Sequence, residues 1–244
     1  MKNSVILLGY YGGDNRHCLS AWQSTNVELG VELSPNIKER IEQLYDATVI
    51  QKKKTPQELL NFLASSGHTS PFRKSHLDFQ LTADLASHIH CLKHTVGVEI
   101  NSESARYKEL TDKWHIPDDW VNLEVKNWGL NMFRVFDHIP CPTWGDILYG
   151  YSRLGHALYH EAINQLSGYL GRARAKESAR YFLPYAKQLD FDMQFSFQAF
   201  VHFQKLRNSD HAQKEIKQIA DYMLDEVKSI PNNPFKYSLE AFGL

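Results

Sequence analysis

The sequence predicts an α+β protein, a chain of mixed helices and strands, and three patterns predict it. Leu77, Phe79 and Leu81 alternate with polar neighbours, as do Leu189, Phe191, Met193, Phe195 and Phe197, and a period of two marks a strand with one buried face. Ile216, Ile219, Ala220, Met223, Leu224 and Val227 recur instead at helical spacing. Capping signals such as Thr55-Pro56-Gln57-Glu58 punctuate the chain between such runs. With 244 residues, 43% of them hydrophobic, a single domain over residues 1–244 with a substantial core is expected.

Taken in order, Val5 to Leu8 reads as a short buried strand that ends in the Gly9 to Gly13 turn. That turn lacks the GxGxxG spacing of a dinucleotide loop. Ser34-Pro35 opens a helix with Ile37, Ile41, Leu44 and Tyr45 on one side, and Thr55 caps a second, closed by Gly67. His68 lies in the turn before the Leu77 strand. Asp84 then caps a helix whose Leu85, Ile89, Leu92 and Val96 form the buried face, which turns His90, Lys93 and His94 toward another face as neighbours. After Gly97, Asn101, Ser102, Ser104 and Arg106 follow without a helical stripe, as in a loop held by its own polar groups. The aromatics Trp114, Trp120, Trp128 and Phe133 are expected in core or subunit contacts. From Thr143 a long helix carries Ile147, Tyr151, Leu154, Leu158 and Ala162, with His156 and His160 on its polar, exposed face. A short helix with Phe200, Phe203 and Leu206 ends at Arg207, at the junction with the last long helix.

A formal net charge of −1 provides no basic field for nucleic acid or an anionic membrane. Cys18, Cys91 and Cys141 form no CxxC and no even set, which suits a reducing cytoplasm. No signal peptide is read, and the apolar runs are too short to span a bilayer. The densest chemistry is Lys93 to Tyr107, KHTVGVEINSESARY, where Arg106 can grip a carboxylate or phosphate and Ser and Asn can orient a polar ligand. Arg207 reads as an anion or carbonyl clamp, or as a cation on the preceding helix end. The pairs His90/His94 and His156/His160 have metal-ligand spacing, but neither has HExxH or a third ligand nearby, so no metal is expected.

Four segments in order, SSGHTSPF, KHTVGVEINSESARY, ESARYFLP and HFQKLRNSDHAQKEI, resemble the flavin-dependent thymidylate synthases. The resemblance implies a homotetramer of helices around a central antiparallel sheet, with FAD and dUMP held between subunits. It implies methylation of dUMP at C5, with methylenetetrahydrofolate as carbon donor and NADPH reducing the flavin. Lys93-His94-Thr95, followed by eight residues before Ser104, resembles the lysine-histidine variant of the signature. Position by position it implies pyrimidine polarisation by Arg207. The implied dUMP contacts are His90, where the family has glutamine, with Lys93, Ser102, Glu103, Ser104, Ala105, Arg106 and Arg180. For FAD it implies His68, Ser70, Lys93, His94, Thr95, Asn101, Ser196, Gln198 and His202. Cys91 is expected to be a buried helix residue and not a nucleophile. Two alternatives share these residues: a flavoenzyme that hydroxymethylates dUMP, and a nucleotide-binding oligomer without flavin.

Overall fold

In this computed structural model, residues 2–23, 32–126 and 143–244 are described. Four strands, β1 (Ser4–Tyr11), β2 (His76–Asp84), β3 (Val98–Ser102) and β4 (Gln188–Ser196), form one sheet in the order β1-β2-β4-β3. Pairing is antiparallel: Leu85 donates to the Lys187 carbonyl (2.8 Å) at one end of β2/β4, and Phe197 donates to Ser75 (2.9 Å) at the other. Leu77, Phe79 and Leu81 of β2 and Phe191, Met193 and Phe195 of β4 are buried as their period predicts, whereas Leu189 is half-buried and Phe197, read as part of the strand, opens the next helix.

The residues divide into two units, each with its own packing. The first comprises Met1–Ser4, Leu81–Lys93 and Asn101–Phe191. It holds α4 (Leu85–Leu92), α5 (Trp144–Leu170) and α6 (Arg172–Ala179), with Ala105, Leu110, Tyr159, Ile163 and Ala179 buried together. Gly155 lets α5 approach the Phe182 carbonyl, where a Cβ would stand 2.6 Å from that oxygen. The second comprises Val5–Gln80, His94–Ile100 and Asp192–Leu244. Its helices are α1 (Asp14–Trp22), α2 (Arg40–Val49), α3 (Pro56–Ser65), α7 (Phe197–Arg207), α8 (Lys214–Lys228) and α9 (Lys236–Phe242). Phe79, Phe195 and Phe203 pack edge to face in its core, and Phe197 stacks on Phe235 at 5.3 Å.

Local signals hold where backbone chemistry sets them. Thr55 and Glu58 close a capping box, Thr143 and Asp146 close another at α5, and the Asp84 side chain accepts from Ser87 N–H at 2.9 Å. All six apolar positions read for α8 are buried.

Burial faces depart from the sequence reading at several elements. β1 is an edge strand with Ile6 and Leu8 each 56% exposed, and is not buried. Hydrogen bonds among Ser34, Asn36, Lys38 and Glu39 hold turns there and delay α2 to Arg40. α4 buries Ser87, His88 and Cys91, while Leu92 is exposed; because the helix ends at Leu92, Val96 lies beyond it and is 82% exposed. The polar run expected as a loop begins as β3, which carries Asn101 and Ser102.

The reversal is largest at α5. Its Tyr151, Leu154 and Leu158 are 50, 47 and 41% exposed, whereas His156, expected in solvent, is buried beside Tyr159. The buried core lies on the side of Gly155, Tyr159 and Ile163, so the smaller, more polar stripe faces inward. Leu206 on α7 is likewise exposed, and α1, α6 and α9 carry no pattern the sequence reading used. Trp128, Phe133 and Cys141 lie outside the described residues.

Candidate functional site

Nine of the expected site residues belong to the first unit. Lys93 follows α4, where its N–H donates to the His90 carbonyl at 3.3 Å. His90 is half-buried, and Asn101 on β3 is exposed. The Ser102 hydroxyl is paired with His88 Nε2 at 2.7 Å, and burial holds the His88 imidazole below its ordinary pKa. Glu103 is used by the fold: its backbone donates to Asp190, its Oε1 accepts from Asp190 N–H at 3.1 Å, and Lys108 Nζ reaches it at 2.6 Å.

Ser104 opens a tight turn in which its carbonyl accepts from Tyr107 N–H and its hydroxyl from Arg106 N–H. Ala105 is buried behind it. A cavity of about 320 Å³ opens over this turn, lined among others by Glu103, Ser104, Ala105, Glu177, Arg180 and Lys187. Its size lies near the lower end of small-molecule sites, roughly 300–1,000 Å³. The Glu177 carboxylate binds Arg106 Nε at 2.8 Å, while the Glu177 carbonyl accepts from Arg180 Nε at 3.0 Å. Glu177 thus fixes both arginines, and an incoming anion at Arg106 competes with that carboxylate.

Sequence reasoning missed Glu177 and Lys187. Glu177 opens the ESARYFLP segment, whose Arg180 drew attention instead, and Lys187 is simply the residue before a strand. Lys187 is buried, burial lowers its pKa, and its ammonium donates to the Gln188 carbonyl.

The remaining residues belong to the second unit. Arg207, the last residue of α7, donates from Nε to His94 Nε2 at 2.9 Å, a contact between positions 113 apart in sequence. That geometry requires an unprotonated Nε2, which makes His94 the neutral Nδ1–H tautomer. The buried His94 ring also meets Phe203 at 4.9 Å and His202 at 6.1 Å. His94 therefore does not share a helical face with His90 and Lys93, because α4 stops first.

The Ser196 hydroxyl caps α7 by accepting from Ala199 N–H. Gly97, at φ +69°, packs so closely there that a Cβ would meet Ser196 Oγ at 2.6 Å. Gln198 Oε1 is buried with no hydrogen-bond partner among the described residues. Thr95 and His202 are exposed. His68 and Ser70 stand at the start of a separate 3-10 turn, where His68 meets the Phe62 ring at 6.4 Å.

The family described as thymidylate synthase complementing protein matches residues 7–231. The chain belongs to that family. The thymidylate synthase complementing protein match runs through both units and through every candidate residue named above. Among curated relatives, a flavin-dependent thymidylate synthase of Thermosipho africanus is 29% identical over 170 residues, 68% of this chain and 71% of that protein. One from Wolbachia pipientis wMel is 28% identical over 190 residues, 76% of this chain and 64% of that protein. The chain thus spans about two thirds of the length of these relatives. A UMP/dUMP methylase, PolB from Streptomyces cacaoi bound with 5-Br dUMP, shares the fold at TM-score 0.67 and 22% identity, over 99% of this chain and 95% of that one. These names do not favour the hydroxymethylating alternative, since they describe synthases and a methylase.

Proposed function

We propose that this chain is a flavin-dependent thymidylate synthase that converts dUMP to dTMP, acting as one catalytic domain over residues 1–244. The observation that carries the reading is the Arg207 to His94 hydrogen bond, which joins two motif segments far apart in sequence. Methylenetetrahydrofolate is the proposed carbon donor, NADPH the reductant and FAD the flavin. Family membership and the names of the relatives support this assignment. No helix among the described residues is long and apolar enough to cross a membrane, and we place the enzyme in the cytoplasm.

The 320 Å³ cavity is the proposed nucleotide site. Ser104 and Arg180 line it, and the Arg180 guanidinium suits a phosphate, which it can meet with two parallel N–H donors. Arg106 joins when the phosphate displaces Glu177, and Lys187 adds positive charge to the wall. Arg207 is the proposed electrophilic residue. With Nε fixed by His94, its positive charge would stabilise the negative charge that develops on a pyrimidine carbonyl as C5 becomes nucleophilic.

The residues present fit a flavin in part. Gln198 Oε1 is an orphaned acceptor for a ring N–H, and Thr95, His202, His68 and Ser70 offer polar groups. Ser196 Oγ is committed to its helix cap and His94 Nε2 to Arg207, so any contact from His94 comes through Nδ1. When bound, the flavin supplies the hydride that completes the methyl group. In the implied homotetramer both ligands lie between subunits, so the two residue groups need not come from one chain.

The test is the visible spectrum of the purified protein, before and after anaerobic NADPH with and without dUMP, followed by the product mass. A flavin spectrum that NADPH bleaches, and a dTMP product, support the proposal. A colourless protein that FAD cannot reconstitute overturns it in favour of a nucleotide-binding oligomer.

A further inference from the structure

Outside the nucleotide cavity, the first unit brings together three side chains of metal-binding type. His156 and His160 lie one turn apart on α5. Asp112, 44 residues before His156, places Oδ1 at 2.9 Å from His156 Nδ1 and 2.8 Å from His160 Nε2. These three atoms lie within 4.8 Å of one another. The sequence reading found no third ligand for this histidine pair; the fold supplies one from a distant segment.

We propose that Asp112, His156 and His160 form a site for a divalent transition metal, zinc being the first choice, that staples the segment around Asp112 to α5. Two imidazoles and one carboxylate are a borderline ligand set that zinc accepts and that magnesium or calcium, which take oxygen, do not. Tetrahedral zinc with bonds near 2.1 Å sets its ligand atoms roughly 3.4 Å apart. The observed hydrogen-bonded separations need to open by only about half an ångström to reach that spacing.

The proton count also closes. Each imidazole now donates to Asp112 from the nitrogen that would bind the metal, so binding moves each proton to the opposite ring nitrogen and leaves both histidines neutral. For His156 that nitrogen is Nε2, which has no hydrogen-bond partner among the described residues to oppose the tautomer change.

The scaffold is rigid and the entrance open. A 27-residue helix with a capping box carries both histidines. The Trp114 ring lies 5.2 Å from His156, and Tyr159 lies 5.0 Å from His160, which limits rotation of both rings. His156 is buried, whereas the Asp112 side chain is 56% exposed, so an ion enters from solvent and a water completes its shell. The role is structural: Tyr159 Oη accepts the Leu110 N–H at 3.0 Å, and Leu110 lines the nucleotide cavity. A metal at Asp112 would fix that wall.

The experiment is equilibrium dialysis of the purified flavoprotein against zinc, with metal analysis and thermal unfolding, for wild type, His160→Ala and Asp112→Asn. Both substitutions are at partly or fully exposed positions, and unfolding without zinc checks their folding. The expected result is one zinc per wild-type chain, a raised Tm with zinc, and affinity lower by roughly tenfold or more in each variant, since even outer-shell changes cost 10–100-fold. Equal zinc content in all three proteins overturns the proposal. So does a wild-type Tm that zinc does not raise, in which case Asp112 is only a hydrogen-bonded tether.

Discussion

The catalytic role proposed for Arg207 rests on what His94 does to it. A guanidinium on an exposed helix end samples many rotamers, whereas a 2.9 Å bond at Nε fixes the plane of the fork. Charge stabilisation of this kind works through geometry established before the reaction, and loss of one such donor costs roughly 10²–10³ in rate. Arg207→Ala is therefore expected to lower dTMP synthesis by about that factor with the fold retained, as read by steady-state rates. Cys91 is the contrasting case: it is fully buried on α4, as a packing cysteine is. Cys91→Ala should keep measurable synthesis, and a folded but inactive Cys91→Ala protein would contradict hydride delivery without an enzyme nucleophile.

At the scale of elements, α1 and α9 are joined by a buried polar cluster. Asp14 accepts from the Tyr237 and Ser238 backbones, and the Ser238 hydroxyl lies between Asp14 and His17. Burial raises the Asp14 carboxyl from 3.8 to about 6 and lowers the His17 imidazole from 6.5 to about 3. The stability contribution of Asp14, whose folded pKa is raised, is present below pH 3.8 and lost as pH rises to about 6. That of His17, whose folded pKa is depressed, is present above pH 6.5 and lost as pH falls toward 3. Between about pH 4 and 6 the two slopes, each about 1.4 kcal/mol per pH unit, oppose each other. Relative to wild type, Asp14→Asn should make stability climb with pH across that window, and His17→Gln should make it fall. Urea midpoints at about pH 4.5 and about pH 6 decide it, since lost hydrogen bonds shift both midpoints but not their difference.

For the whole molecule, the exposed apolar stripe of α5 asks for a partner. Tyr151, Leu154 and Leu158 are side chains that a solvated helix face seldom gathers at i, i+3 and i+7. A second copy of the chain is the occupant we propose, in keeping with the homotetramer that the family resemblance implies. If this face is a subunit interface, the double variant Leu154→Glu, Leu158→Glu should sediment as a smaller species than wild type, with dTMP synthesis reduced if the proposed sites are shared between subunits. An unchanged sedimentation coefficient would remove this face from the assembly.

The strands β2 and β4, the boxes at Thr55 and Thr143 and the six core positions of α8 were legible because period and capping are local, set by residues within a turn or a strand. The motif segments contain Ser104 and Arg180, which line one cavity, and Arg207, which bonds His94. What the sequence could not express was which face of an amphipathic element meets the core. α5 has polar and apolar stripes, and a helix can turn either toward the core, so only packing decided that His156 goes in and Leu154 stays out. Long-range pairings were equally silent. Arg207 with His94, Glu177 with Arg106, and Asp112 with two histidines are 113, 71 and up to 48 residues apart, and nothing local encodes such separations. The sequence by itself determined the elements whose period or caps are local, and the chemical groups they carry; the tertiary structure alone decided the remaining elements and all long-range neighbours, because burial and hydrogen bonding between elements are settled by packing.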